Sequence, residues 1–585
     1  LDEIVGSASR PLIWEYGPKL AEARDSAKDE DRGPDANALQ LLAAVAMFGL
    51  SDDSKEPFTP MMTGNGWRSP IPEDLSDQQF ASLEVLLDAA AEPELRARIA
   101  DVLWNRKRRT PEHGRAAIHA YILSARRLFD PDQWTWAMDR LRRANSISAL
   151  FGIASPEYES VTNELRATLD RLGGNDSLYF SERLMALLAM RDLPTDEVAR
   201  YKALSLAMAE AAEKVFDLQR ARAYLAASLA WTRALQDQED FARLRLRIAE
   251  SYVSEALAQG TEMARTSILR RAIRELREAG AARERIDEIR AMLDDAQELM
   301  LSELKPIGIP FDASALAEGA RAEARDVSPM QGFWKLAMLV PIPEKSELRE
   351  RAERSIEQFS FAHGFGRQHL GSAGRLTGTT PGSLGGDADE REELIASLMR
   401  DDADRGRLLA VHGLIDPMRQ ELVRQFQYSL QDIYMAIRGR LLIPRDRELL
   451  WTQGLHAGLL GDYSTAVHLL VPQLDNSLRL ILQMLKVITY KQYVSGVQDV
   501  FKIEDTLGHE KLVEALGEDL VFQFETLLVG RTSSNLRNLL GHGLLNYAQA
   551  MSYDSSYCWW LALHLVARVG KPPAELLAPL GRRSC

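Results

Sequence analysis

Cysteine is nearly absent from this 585-residue chain, which holds only Cys558 and Cys585. Two thiols build neither a disulfide framework nor a four-cysteine zinc site. Long apolar runs are missing as well. The most apolar stretches, 466–474 and 478–490, are interrupted by His468, Pro472 and Lys486. None reaches the roughly 18 uninterrupted apolar residues that a membrane span needs. The opening Leu1-Asp2-Glu3 lacks the basic-then-apolar pattern of an export signal. With so few thiols, we expect a bacterial-type cytoplasmic protein with no membrane partner. An excess of positive charge is also lacking: 71 Lys and Arg face 85 Asp and Glu, for a net charge of −14. That excludes a general nucleic-acid coat protein. The deficit is uneven. Residues 445–585 hold 13 basic and 14 acidic side chains, so the residues before them hold 58 and 71. The acidity belongs to the long N-terminal part and favours protein partners there over RNA.

What is present is a globular composition, 46% hydrophobic and 27% charged, on a chain too long for one core. Apolar residues recur at helical spacing through most of it. In residues 81–104 they are Leu83, Val85, Leu86, Leu87, Ala90, Leu95, Ile99, Val102 and Leu103, with Pro93 dividing two helices. Residues 221–235 and 241–258 form a helical pair across the polar turn 236–240, and residues 261–279 and 282–304 form another broken at Gly280. These patterns predict an all-α protein: an irregular helical-hairpin repeat region over 1–330, then a C-terminal helical bundle. The best strand candidate is 336–342. Eight glycines between 364 and 386, with Ser372 among them, mark a loop and a domain boundary. The expected division is 1–330, a connector at 331–390, a helical bridge at 391–445 and the bundle at 446–585.

Several chemistries have no motif here. The chain has no G-K-[ST] phosphate loop, no H-E-x-x-H and no G-x-S-x-G, and no cofactor or metal is expected. His363, Arg367 and His369 lie in or beside the glycine-rich loop and read as solvated loop residues. The run Arg106-Lys107-Arg108-Arg109 ends an amphipathic helix, where cations meet the negative end of the helix dipole. Arg126, Arg127, Arg140, Arg142 and Arg143 extend it into a phosphate-binding patch only if the helices stack suitably.

One segment asks for more: Ser533-Ser534-Asn535-Leu536-Arg537-Asn538-Leu539-Leu540-Gly541-His542-Gly543. Ser533 or Ser534 is a natural N-cap for a helix expected over 534–551, which puts Arg537 in the first turn. A cation there opposes the helix dipole and calls for an anion beside it. Gly541 and Gly543 each cost about 1 kcal/mol in a helix interior, and they bracket His542 so that a backbone or ligand can approach. Arginine, amide and histidine together suit a phosphodiester; the competing reading is a histidine satisfied within a packed bundle.

Arg537-Asn538-x-x-x-His542 at the head of a late helix resembles the R-x4-H motif of the HEPN superfamily. The earlier helix with Asp475, Asn476 and Arg479 is similar to the polar-marked first helix of an uncharacterised bacterial HEPN group, and the resemblance covers about residues 446–569. It implies a metal-independent endoribonuclease in which two protomers pair through the C-terminal bundle. His542 would act as acid and base on the ribose 2′-OH or the leaving 5′-oxygen, Arg537 would hold the scissile phosphate, and Asn538 would orient either. Asp475, Arg479, Gly541 and Gly543 would support them. RNA is then the substrate, a toxin or phage-defence role is implied, and the N-terminal region binds a partner or restrains the nuclease. Members paired with a nucleotidyltransferase carry a Tyr two residues after the His; here Leu544 stands there and Tyr547 lies five away, which speaks against that regulation. The alternative is a non-catalytic scaffold whose bundle serves dimerisation or nucleotide binding.

Overall fold

The computed structural model describes residues 1–570 except 52, 54–55, 65–66, 107–108, 175, 177, 306–310 and 372–373. Cys585, Ser372, Lys107 and Arg108 therefore lie outside the described residues. The chain is all-α, with four small two-stranded hairpins among the described residues. It divides into two compact units, Leu1–Glu303 and Leu304–Cys585. No helix among the described residues is long and apolar enough to cross a membrane.

In the first unit, most helices pack against the next in sequence, as expected of stacked hairpins, while Phe180–Leu188 packs against Leu218–Ala234 rather than against Thr195–Lys214. Pro93 opens the helix Pro93–Trp104 at its first turn, where its missing N–H costs nothing. The pair Leu218–Ala234 and Gln238–Leu257 turns at Gln236, whose φ is 57°. Asp237 then caps the second helix by accepting from the Asp240 amide at 3.0 Å. Glu262–Glu278 and Arg283–Glu303 turn at Gly280, whose φ of 73° a side chain would strain.

The interior of this unit holds charge. Arg140 and Glu94 are 3% and 2% exposed and form an ion pair, with Arg140 Nε donating to Glu94 Oε2 at 3.1 Å. Two turns further along the first helix and one along the second, Arg143 donates to Asp101 at 2.6 and 2.8 Å, and the Tyr121 hydroxyl donates to the same carboxylate at 2.8 Å. Burial alone would raise the Glu94 carboxyl; the Arg140 guanidinium overrides it and holds that group below its ordinary value. Among the described residues, the other arginines considered for a phosphate patch are also committed. Arg106 pairs with Asp77 at 2.8 Å, Arg126 with Glu164 at 2.6 Å, Arg127 with Glu92 at 2.8 Å and Arg142 with Asp139 at 3.2 Å. Arg109 stacks over Trp104. The helices do stack, but they turn these arginines onto carboxylates and a ring.

The second unit corrects three local expectations. Residues 336–342 form no strand: Ser328 makes a capping box with Gln331 and Pro329 opens the helix Pro329–Ala337, which takes in Leu336. The glycine-rich segment is not a bare loop, because Arg367–Leu370 pairs antiparallel with Leu376–Thr380. Its three polar residues are tied down rather than solvated. His363 meets Ser355 Oγ at 2.9 Å and Arg367 at 3.3 Å, Arg367 pairs with Asp401 at 3.0 Å, and His369 Nε2 meets Thr380 Oγ1 at 2.7 Å. The motif segment, third, breaks into two short helices, described below.

One core in this unit runs from Ala320 to Ala567. Its centre is the helix Tyr553–Val569, buried on every face from Ser555 to Ala567. Trp559 Nε1 donates to the Leu455 carbonyl at 3.0 Å and Trp560 Nε1 to that of Leu336 at 2.8 Å. These bonds satisfy the indoles in the interior. Residues of the expected connector and bridge thus pack in the same core as the late helices, and the unit division falls at Glu303/Leu304.

The buried pairs set a stability expectation. Arg140→Ala strands the Glu94 carboxylate and should cost about 3–5 kcal/mol. Replacing both residues with apolar ones of similar volume should cost less than the single change. Urea unfolding followed by circular dichroism checks this, and a double variant worse than Arg140→Ala contradicts it. Because the Glu94 carboxyl is held low, its stabilisation is complete above the ordinary 4.5 and fades as pH falls below it.

Candidate functional site

The motif helix is shorter than its sequence predicts: Leu536–Gly541, followed after a turn by Tyr547–Ala550. Neither Ser533 nor Ser534 caps it. The N-cap is Asn535, in the left-handed region at φ 51°, with no side-chain capping bond. Ser533 Oγ is drawn away to the Thr526 and Gly530 carbonyls, and Ser534 Oγ accepts from Arg407 at 3.3 Å. At the other end, Gly543 takes φ 68°, its amide reaching the Leu540 carbonyl at 3.1 Å and that of Leu544 reaching Leu539 at 2.8 Å. This is a Schellman stop. Gly541 and Gly543 therefore end a helix instead of thinning its interior, and His542 is the C-cap residue, exposed to solvent.

Arg537 does sit in the first turn, and the anion that position calls for is supplied by the protein. Asp475, from the long helix Tyr463–Met484, places Oδ2 3.8 Å from Arg537 Nε. The same carboxylate pairs with Arg479 at 2.6 Å, and Arg479 Nη1 also donates to the Phe501 carbonyl at 3.1 Å. The structure thus gathers Asp475, Arg479, Arg537 and Asn538. Asn538 accepts weakly from Arg537 Nη1 at 3.4 Å and donates to Asn535 Oδ1 at 2.8 Å, which steadies the left-handed turn. The Arg537 guanidinium folds back along its own helix. A Cβ on Gly541 would stand in ordinary contact with Nη1 at 3.8 Å, so the cation lies beside the residue preceding His542. Arg537 remains 38% exposed, whereas Asp475 is 12% exposed. Burial pushes the Asp475 carboxyl above its ordinary value despite the opposing pull of Arg479 and then Arg537, with Glu504 adding to the rise.

Sequence reasoning missed what lies beneath. Arg407, 1% exposed, donates to Asp554 at 3.1 Å, Thr526 Oγ1 at 3.2 Å, Asp404 at 3.0 Å and Ser534 Oγ at 3.3 Å. Tyr553 donates to Asp404 at 2.9 Å. A signal existed: Ala403, Arg407 and Ala410 lie four and three apart, so a cation occupies the buried stripe of Ala388–Ala410. Asp554 offered no such signal, because its partner is remote in sequence.

Among known families, a model described as a domain of unknown function, DUF7380, matches residues 1–160, within the first unit. No curated protein and no solved structure matches the chain.

Asp475 gives a test of this geometry. Its raised carboxyl means that this group's own contribution to stability is greatest in acid, where the folded state keeps the proton, and is lost as pH rises from 3.8 through the raised value. Asp475→Asn removes that loss. The melting temperature of the variant relative to wild type should climb from acid pH toward neutrality; an offset constant with pH contradicts the assignment.

Proposed function

We propose that the second unit cleaves RNA without a metal, by attack of the ribose 2′-oxygen on the adjacent phosphorus. One observation carries this reading. A six-residue helix presents a half-exposed arginine, steadied by a buried carboxylate and folded against Gly541, with an exposed histidine at its end. In this reading the His542 imidazole takes the 2′-OH proton or delivers one to the leaving 5′-oxygen. Arg537 holds the phosphate and stabilises the charge that builds on it. Asn538 braces Asn535 and, through its side-chain oxygen, Arg537. The P–O5′ bond breaks as the O2′–P bond forms, leaving a 2′,3′-cyclic phosphate and a 5′-hydroxyl. The resemblance to the HEPN superfamily supports the same roles and adds that two copies pair through this bundle, with the N-terminal unit binding a partner or restraining the nuclease in toxin or phage-defence use.

RNA incubated with the protein and EDTA should yield these ends, while DNA, lacking the 2′-OH, stays intact. His542→Ala should abolish cleavage, keep RNA binding and barely shift the melting temperature, since the ring is exposed. Arg537→Ala should weaken both cleavage and binding by removing the charge-assisted contact. Light scattering should find a dimer. Undiminished cleavage in His542→Ala ends the proposal.

A second reading, a non-catalytic dimerisation module, draws on Leu544 and Tyr547, which are 58% and 75% exposed beside the motif. RNA that is bound but never cut by the wild-type chain would favour it.

A further inference from the structure

The six residues ahead of the motif helix decide where Arg537 stands, and their fixed points come from the preceding helix and from side chains remote in sequence, Arg407 and Asp554. Thr526, near the end of Glu518–Leu528, receives both Arg407 Nη1 on its hydroxyl and Ser533 Oγ on its carbonyl. Ser534 is held by Arg407 Nη2 and also bonds the Asp554 carboxylate. Asn535 then takes the left-handed conformation that swings the chain into Leu536–Gly541.

The outer side of the same turn is closed by the glycine-rich hairpin. A Cβ on Gly378 would come within 2.5 Å of Thr532 Cγ2, so the hairpin lies on this turn as closely as a glycine allows. That hairpin is pinned in turn to Ala388–Ala410: Thr380 Oγ1 donates to Ser397 Oγ at 2.9 Å, and Arg367 pairs with Asp401 at 3.0 Å. Ser397, Asp401 and Arg407 thus lie along one helix, and each braces the turn directly or through the hairpin. Removing a guanidinium–hydroxyl bond at 3.3 Å changes little burial, yet it frees the residue three places before Arg537.

We propose that Arg407 is a positioning residue for Arg537, acting through Ser534, and that the hairpin at Gly378 shares the task. The inference rests on the RNA reading only for its catalytic readout. Arg407 never meets substrate; it fixes the angle at which the motif helix leaves the turn, and with it the approach of Arg537 to Asp475 and to a bound phosphate. A small misplacement of such a group is costly to rate, because the phosphate contact must be aligned in the transition state.

The test uses Ser534→Ala, Ser534→Thr and Gly378→Ala in the full chain, read by RNA cleavage kinetics and by the Arg537 Nε–H resonance in a nitrogen–proton NMR spectrum. Ser534→Ala should lower kcat about tenfold or more, with a smaller change in KM, and should move the Arg537 resonance. Ser534→Thr, which keeps a hydroxyl, should restore both. Gly378→Ala, which presses on Thr532 from the opposite side, should also move the resonance and serves if Ser534→Ala fails to fold. Wild-type kinetics and an unmoved resonance in the folded variants overturn the proposal. If the wild-type chain cuts no RNA, the functional reading fails separately and the resonance alone decides: moved by these substitutions, it supports positioning; unmoved, it refutes it.

Discussion

Both units of this protein depend on guanidinium groups buried against carboxylates. A lone charge in a helix interface is prohibitive, while a fork of N–H donors facing a carboxylate satisfies both partners and fixes the spacing and rotation of the helices that carry them. In the first unit, Glu94–Arg140 and Asp101–Arg143 repeat the device, clamping Pro93–Trp104 to Thr135–Ala149 at two points. In the second, Arg407 does the same for four partners at once, and Asp475 for two arginines. Such pairs add little net stability over apolar packing, but any other register would leave a charge unpaired.

The second of those clusters differs from the rest in being incomplete. Arg407, Arg140 and Arg143 are enclosed; Arg537 is not. Its carboxylate partner stands at 3.8 Å, its side chain stays 38% exposed, and its helix ends one turn later at an exposed histidine. Arg537 is steadied by Asp475 and left partly open, and that exposure is the basis on which we propose the reactive site there.

Helical periodicity carried most of the fold, and proline and glycine carried the breaks. Pro93, Gly280 and the polar turn around Gln236 acted as their local chemistry requires. Where the reading failed, a longer-range partner had outbid the local one. Ser533 and Ser534 are sound N-caps by type, but a buried carbonyl and Arg407 hold their hydroxyls, so Asn535 takes over. Gly541 and Gly543 looked like gaps in one long helix. The left-handed φ of Gly543 made them its end and turned His542 outward. The glycine-rich stretch likewise had no alternating apolar pattern to mark strands, and its hairpin exists through pairing and anchoring to Ala388–Ala410.

By itself, then, the sequence determined the helical class, the hairpin rhythm of the first unit, and the residue types Arg537, Asn538 and His542 on one short segment. These follow from spacing within a few turns, where side-chain periodicity and capping act. Only the tertiary structure decided that Asp475 is the anion beside Arg537, that Arg407 lies under the turn before it, and that Arg140 and Arg143 of the first unit face inward. Each of those outcomes depends on which helix packs next to which. Charge pairing across an interface has no local signature in the chain, because its energy exists only once the two helices have met.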